Sequence, residues 1–120
     1  MAQNKKLYDL EERTEKFGES IIRYCRSLKP SIITNPLVNQ LIRSATSIGA
    51  NYMEANGASS RKDFKNKIFI CKKEAQETKH WLRMLAEGAS IEEKKTINLL
   101  WREAQELTLI FQKITSSLSN

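Results

Sequence analysis

Apolar residues recur at spacings of three and four in four separate runs, the period of amphipathic helices rather than strands. Leu10, Thr14, Phe17, Ile21, Tyr24 and Leu28 share one face over residues 7–28, and Leu37, Leu41, Ala45, Ile48, Tyr52 and Ala55 share one over 36–56. Phe64, Ile68, Cys71, Ala75, Thr78, Leu82 and Leu85 continue the pattern over 61–86, as do Ile97, Trp101, Ala104, Thr108, Phe111 and Thr115 over 91–115. The punctuation agrees. Lys29-Pro30-Ser31 breaks the first run, and Asn35-Pro36 reads as an N-cap followed by a proline at the first helical position. Gly57 reads as a left-handed cap, and Gly88 closes the third run. Ser60 with Asp63, and Ser90 with Glu93, have capping-box spacing. The Ser116–Asn120 tail is polar and expected to fray. Four long helices with short connections predict an all-α, up-down-up-down antiparallel four-helix bundle forming one domain over residues 1–120.

Two of the helices carry a second, polar stripe. On the second helix it is Gln40, Arg43, Ser47, Asn51 and Glu54, beside the small residues Ser44, Ala45, Gly49 and Ala50, which keep the helix thin. On the third it is Asp63, Lys67, Ile70, Glu74, Glu77 and Trp81. Antiparallel pairing sets Arg43 level with Glu74 and Glu77, and Glu54 near Lys67. A polar network of Arg43, Ser47, Asn51, Glu54, Lys67, Glu74 and Glu77 is therefore expected, with Arg43 in a buried or half-buried ion pair. Whether the two stripes face each other or flank other helices or subunits stays open. The fourth helix shows Leu99, Leu107, Ile110 and Ile114 off its core face, and the third shows Ile70. That is more apolar width than one bundle contact needs, so these residues are expected at an oligomer interface.

Composition is ordinary for a globular chain, with 40% apolar and 28% charged residues. No apolar run approaches the roughly 20 residues of a membrane span, and Met-Ala-Gln-Asn-Lys-Lys precedes no apolar signal core, so a cytoplasmic protein without membrane partners is expected. Cys25 and Cys71 read as small core residues kept reduced. The net charge of +6 is uneven: residues 58–87 hold eight Lys/Arg against four Asp/Glu. Arg61, Lys65, Lys72, Lys79 and Arg83 share a stripe of the third helix that reads as outward, with Lys62, Lys73 and His80 beside it and Phe69 within it. A basic strip with an interleaved aromatic suits nucleic acid through Arg61, Lys62, Lys65, Phe69, Lys72, Lys73, Lys79 and Arg83. A plain solvated face is the alternative. Glu77-Thr78-Lys79-His80 has the E-x-x-H spacing of bundle di-iron sites, but such a site needs two of these motifs, and the chain has one histidine. Ser44 and Ser47 have no histidine at plausible geometry, and no phosphate-cradling glycine loop precedes a helix. These readings exclude a catalytic constellation, a metal, a cofactor and an evident small-molecule substrate, and they class the chain as a non-enzyme.

Asp9-Leu10 with Arg13 and Phe17, Gln40-Leu41-Ile42-Arg43-Ser44, Ser47-Ile48-Gly49-Ala50-Asn51, Glu54-Ala55, Lys62-Asp63-Phe64, Lys73-Glu74-Ala75, Glu77-Thr78 and Trp81-Leu82 together resemble the four-helix-bundle proteins encoded by intervening sequences in bacterial 23S rRNA genes. The resemblance covers Asp9 to Leu85. It implies a four-helix bundle, a ring-shaped homopentamer, and kinship with the nucleic-acid-binding accessory protein of diversity-generating retroelements, without an agreed biochemical activity. Cys71-Lys72 and His80 depart from the pattern, making the third helix more polar. Two function classes follow: a nucleic-acid-binding ring whose ligand is RNA or DNA, or a protein-interaction oligomer whose basic face keeps it soluble.

Overall fold

A computed structural model describes residues 9–118. It contains four helices, α1 (Leu10–Arg26), α2 (Thr34–Asn56), α3 (Arg61–Ala86) and α4 (Ile91–Ser117), each antiparallel to the next. The body measures 45 × 27 × 21 Å, its long axis set by α4, whose 27 residues rise about 40 Å at 1.5 Å per residue. The bundle is α-helical throughout, as the periodicity predicts.

The helix ends show which capping signals win. Asp9 accepts a hydrogen bond from the Glu12 N–H and starts α1 at Leu10; Leu7 lies outside the described residues. Chain exit comes at Arg26, two residues before Leu28. Asn35 is not the cap of α2. The position before Thr34 is Ile33, whose side chain makes no cap bond, and Ser31 two residues earlier serves the helix start instead: its hydroxyl accepts from the Thr34 N–H at 2.9 Å and its carbonyl from the Asn35 N–H at 2.9 Å. Asn35 Oδ1 reaches back to the Ser31 N–H at 3.3 Å. Pro36 consequently sits at the third helical position, where its missing N–H still costs nothing. Gly57 has φ −98° and is no left-handed cap. Gly88, at φ +80°, is the residue that needs glycine. The Ser60 hydroxyl accepts from Asp63 N–H, and Ser90 with Glu93 forms a complete capping box. The C-terminal end is firmer than its polarity suggests, since α4 runs two residues past Thr115 and Leu118 N–H bonds back to Ile114.

The core runs the length of the bundle through Leu10, Phe17, Ile21, Leu41, Ile48, Ile68, Leu82 and Phe111. On α4 the buried set is Ile97, Leu100, Ala104, Leu107, Thr108, Phe111 and Thr115. Leu107, expected at an oligomer interface, has no exposure at all. The reason is that α4 must cover both α1 and α3, which uses an apolar face wider than a single stripe. Ile110 and Ile114 are half-buried against the same core, and so is Trp101. Leu99 alone of the four remains well exposed, at 67%. Cys71 is buried and Cys25 half-buried; loss of solvation pushes their thiols up, to about 12 and about 11.

The thinness of α2 is used against α1. A Cβ at Gly49 would lie 3.3 Å from Thr14 Oγ1, and that hydroxyl is held by its own bond to Leu10 O at 2.6 Å. A Cβ at Gly18 would make ordinary contact with Thr46, at 3.8 Å. Both glycines are mid-helix, where alanine gains about 1 kcal/mol of helix propensity. Thermal melts should therefore separate them. Gly18→Ala should raise the melting temperature by a few degrees, whereas Gly49→Ala should gain nothing or lose stability.

Raised thiol pKa values also set a sign. The folded state holds its Cys protons above pH 9, where the unfolded chain releases them, so stability is complete below about pH 9 and falls as pH rises toward 11–12. Tyr24, pushed to about 12 by burial, adds to the same limb. Melts at pH 8 and pH 10.5 should show this decline, and Cys71→Ala should flatten it relative to its own value at pH 8.

Candidate nucleic-acid interface

Three seams between helices distribute the charged side chains. On the α2–α3 seam the two polar stripes do face each other. Arg43 reaches Glu74 at 3.3 Å and also pairs with Glu77, while Lys67 meets Glu54 at 2.7 Å. Trp81 Nε1–H donates to Glu77. The pair is less buried than expected: the Arg43 side chain is 45% exposed, because it lies on the rim of the seam rather than inside it. Ser47 and Asn51 do not join the cross-helix network. Their short side chains donate to the Arg43 and Ser47 carbonyls of their own helix. What does lie inside the seam is neutral. The Ser44 and Thr78 hydroxyls are fully buried, 2.9 Å apart, and the Cys71 thiol faces Ile48 O at 3.5 Å.

The α1–α4 seam is the loosest between neighbouring helices. A cleft of about 540 Å³ opens there, lined by Arg13, Phe17, Leu99 and Glu103 among others. Arg13 bridges it, donating through Nε and Nη2 to Glu103 at 2.7 and 2.9 Å and to Glu106 at 2.7 Å. The Glu103 carboxylate raises the Arg13 pKa further above its ordinary value. Sequence reading singled out Arg13 within a motif but missed its partners.

The α3–α4 seam takes the basic strip. Lys72 Nζ donates to Gln112 at 2.7 Å and Lys79 Nζ to Gln105 at 2.5 Å. Lys79 and Arg83 lie 5.3 and 5.1 Å from the centre of the Trp101 ring, and Lys72 lies 5.0 Å from that of Phe69. Burial, and then Arg83, hold the Lys79 ammonium below the usual lysine range. Thus the stripe read as outward is so only in part: Lys65, Lys72 and Lys79 are half-buried, Lys72 and Lys79 leaning on α4, while Arg61 and Arg83 of the stripe, and Lys62 and Lys73 beside it, are exposed. Phe69 is 48% exposed. Ile70 is half-buried. The Trp101 indole N–H is buried without an acceptor.

The seams share out the carboxylates unevenly. Glu74 and Glu77, the acids in the body of α3, turn to Arg43. Glu103 and Glu106, in the body of α4, turn to Arg13. Lys72 and Lys79 hold neutral amide oxygens, so those bonds leave their charges uncompensated. Catalytic groups do not gather comparably. Glu77 is engaged by Arg43, while His80 packs edge-on against Trp81 with ring centres 4.8 Å apart. Among the described residues no three His, Cys, Asp or Glu are placed to hold a metal, and no helix is long and apolar enough to cross a membrane.

Fold and surface thus define a small antiparallel four-helix bundle with one cationic flank. The chain belongs to the 23S rRNA-intervening sequence protein family, which matches residues 6–113. It is similar to a crystal structure of a protein of unknown function from the S23 ribosomal protein family of Bacteroides thetaiotaomicron VPI-5482. The two are 31% identical with a TM-score of 0.74, over 88% of this chain and 96% of the other. No curated protein matches the chain.

Exposure ranks the ion pairs. Arg43→Ala should cost about 1 kcal/mol or less, since a rim pair is screened by water. Arg13→Ala should cost more, about 1–2 kcal/mol, because it removes a two-pronged bond from a seam with little else across it. Urea denaturation of the two variants measures the order, and equal midpoints would show that the α1–α4 bridge is no stronger than the rim pair.

Proposed function

We propose that this protein is a non-enzymatic, ring-forming oligomer, a pentamer by family resemblance, that binds RNA or DNA through the cationic α3–α4 flank. The observation that carries the reading is the partitioning of carboxylates. The acids in the body of α3 and of α4 are committed to arginines on other seams, while Lys72 and Lys79 hold amide oxygens and lie over aromatic rings, none of them anionic. Exposed Arg61, Lys62, Lys73 and Arg83 extend the same positive surface. Such a face attracts phosphates and releases counterions, but point charges alone read no sequence. Several copies in a ring would sum weak contacts if their flanks point to one side. Leu99, open beside the α1–α4 cleft, supports a contact between subunits.

Anisotropy titrations at two salt concentrations test the binding. With about five phosphates met per chain, the slope of log K against log salt should be near −4 for duplex and shallower for single strands. The triple variant Arg61→Glu, Lys62→Glu, Lys73→Glu, altered only at exposed positions, should lose most of the affinity. If wild type binds no better than this variant at low salt, the protein-interaction oligomer becomes the better reading. Light scattering should give a mass well above the 13.8 kDa of one chain. A monomer at micromolar concentration would remove the ring.

A further inference from the structure

The α3–α4 groove widens into two hollows that meet at Arg83 and Trp101. One, of about 360 Å³, is also lined by Lys94, Ile97 and Asn98; the other, of about 300 Å³, is bounded by Lys79. Each has the volume of a small ligand pocket, and no carboxylate lines either. Ile97 and the Trp101 ring supply an apolar floor. Asn98 adds an amide with both donor and acceptor, the kind of group that meets the edge of a base. Arg83 stands between the hollows, over the Trp101 ring, and among the described residues it makes no ion pair: its neighbours there are Lys79, Lys94 and the indole. Surface charge for phosphates alone would not need this floor.

Resting on the nucleic-acid reading above, we infer that this groove seats single-stranded nucleic acid. Two adjacent nucleotides occupy the two hollows; Arg83 and Lys79, which lie over the Trp101 ring, turn to the phosphates, Arg83 to the one between the nucleotides, and one base takes their place on the ring. Stacking of that kind tolerates any base, because each has a π-face. A duplex cannot use the floor, since its bases are stacked inward and extruding one is unfavourable; it meets only the exposed cations of the rim.

The chain has two tryptophans, so Trp81→Phe leaves Trp101 as the sole indole fluorophore. In that background three probes are titrated: oligothymidylate, its duplex with oligoadenylate, and inorganic polyphosphate. Oligothymidylate should quench Trp101, and the other two should bind without doing so. Arg83→Gln, and separately Lys94→Gln at an exposed position of α4, should each weaken single-strand binding about tenfold while leaving duplex binding nearly unchanged. A thermal melt confirms that each variant is folded. Equal responses to single strand and duplex, or quenching by polyphosphate alike, would overturn the inference and leave the electrostatic reading in place. If none of the probes binds at low salt, both readings fall.

Discussion

At the middle of the α2–α3 seam the Ser44 and Thr78 hydroxyls lie 2.9 Å apart in a fully buried position. Sliding one helix by a turn would part them, and since each hydroxyl also bonds a carbonyl of its own helix, Ser44 to Leu41 O at 3.3 Å and Thr78 to Glu74 O at 2.8 Å, the loss is that of the bond between them, roughly 0.5–1.5 kcal/mol. Apolar packing holds the helices together but discriminates poorly between neighbouring registers, since Leu41, Ala45 and Ile48 would find hydrophobic neighbours in either. The hydroxyl pair discriminates. With that register set, Arg43 comes level with Glu74 and Glu77, and Glu54 with Lys67.

This register acts on the surface as much as on the core. Committing the α3 acids to α2 removes compensating negative charge from the opposite side of α3. Arg13 does the same for α4 by drawing Glu103 and Glu106 toward α1. The positive flank is thus produced by where the carboxylates go more than by how many lysines there are. It also explains why the glutamines at 105 and 112 matter: they hold Lys79 and Lys72 in place without neutralising them.

The parts of this arrangement that depend on one helix and its nearest neighbour were legible beforehand. Period and capping placed all four helices within a few residues, and an antiparallel turn near Gly57 was enough to align Arg43 with Glu74. The errors came where two elements compete for one residue. A helical wheel sees Lys72 and Lys79 as outward, because it has no term for the angle at which α4 leans over them. It separates Leu107 from Thr108 and Phe111, although a helix covering two neighbours buries all three. Arg13 and Glu103 are 90 residues apart, and nothing local relates them. Gln105 and Gln112 carry no charge, so no pattern marks them as partners for lysine. Ser31 rather than Asn35 serves the first N–H groups of α2, because both have suitable side chains and only the path of the loop chooses between them.

The weak closure between α1 and α4 has a kinetic meaning. α1 is packed along α2, where Gly49 lets it approach closely, but its other edge borders an open cleft crossed by one arginine. Native-state opening follows the boundary with fewest contacts to break, so α1 is the unit that detaches first, with α2, α3 and α4 remaining paired. Hydrogen exchange along the chain would then fall into two classes, the amides of α1 exchanging ahead of those in the other three helices. The Leu10, Phe17 and Ile21 face released by such an opening is apolar and regularly spaced, a surface on which a neighbouring copy of α1 could dock by exchange.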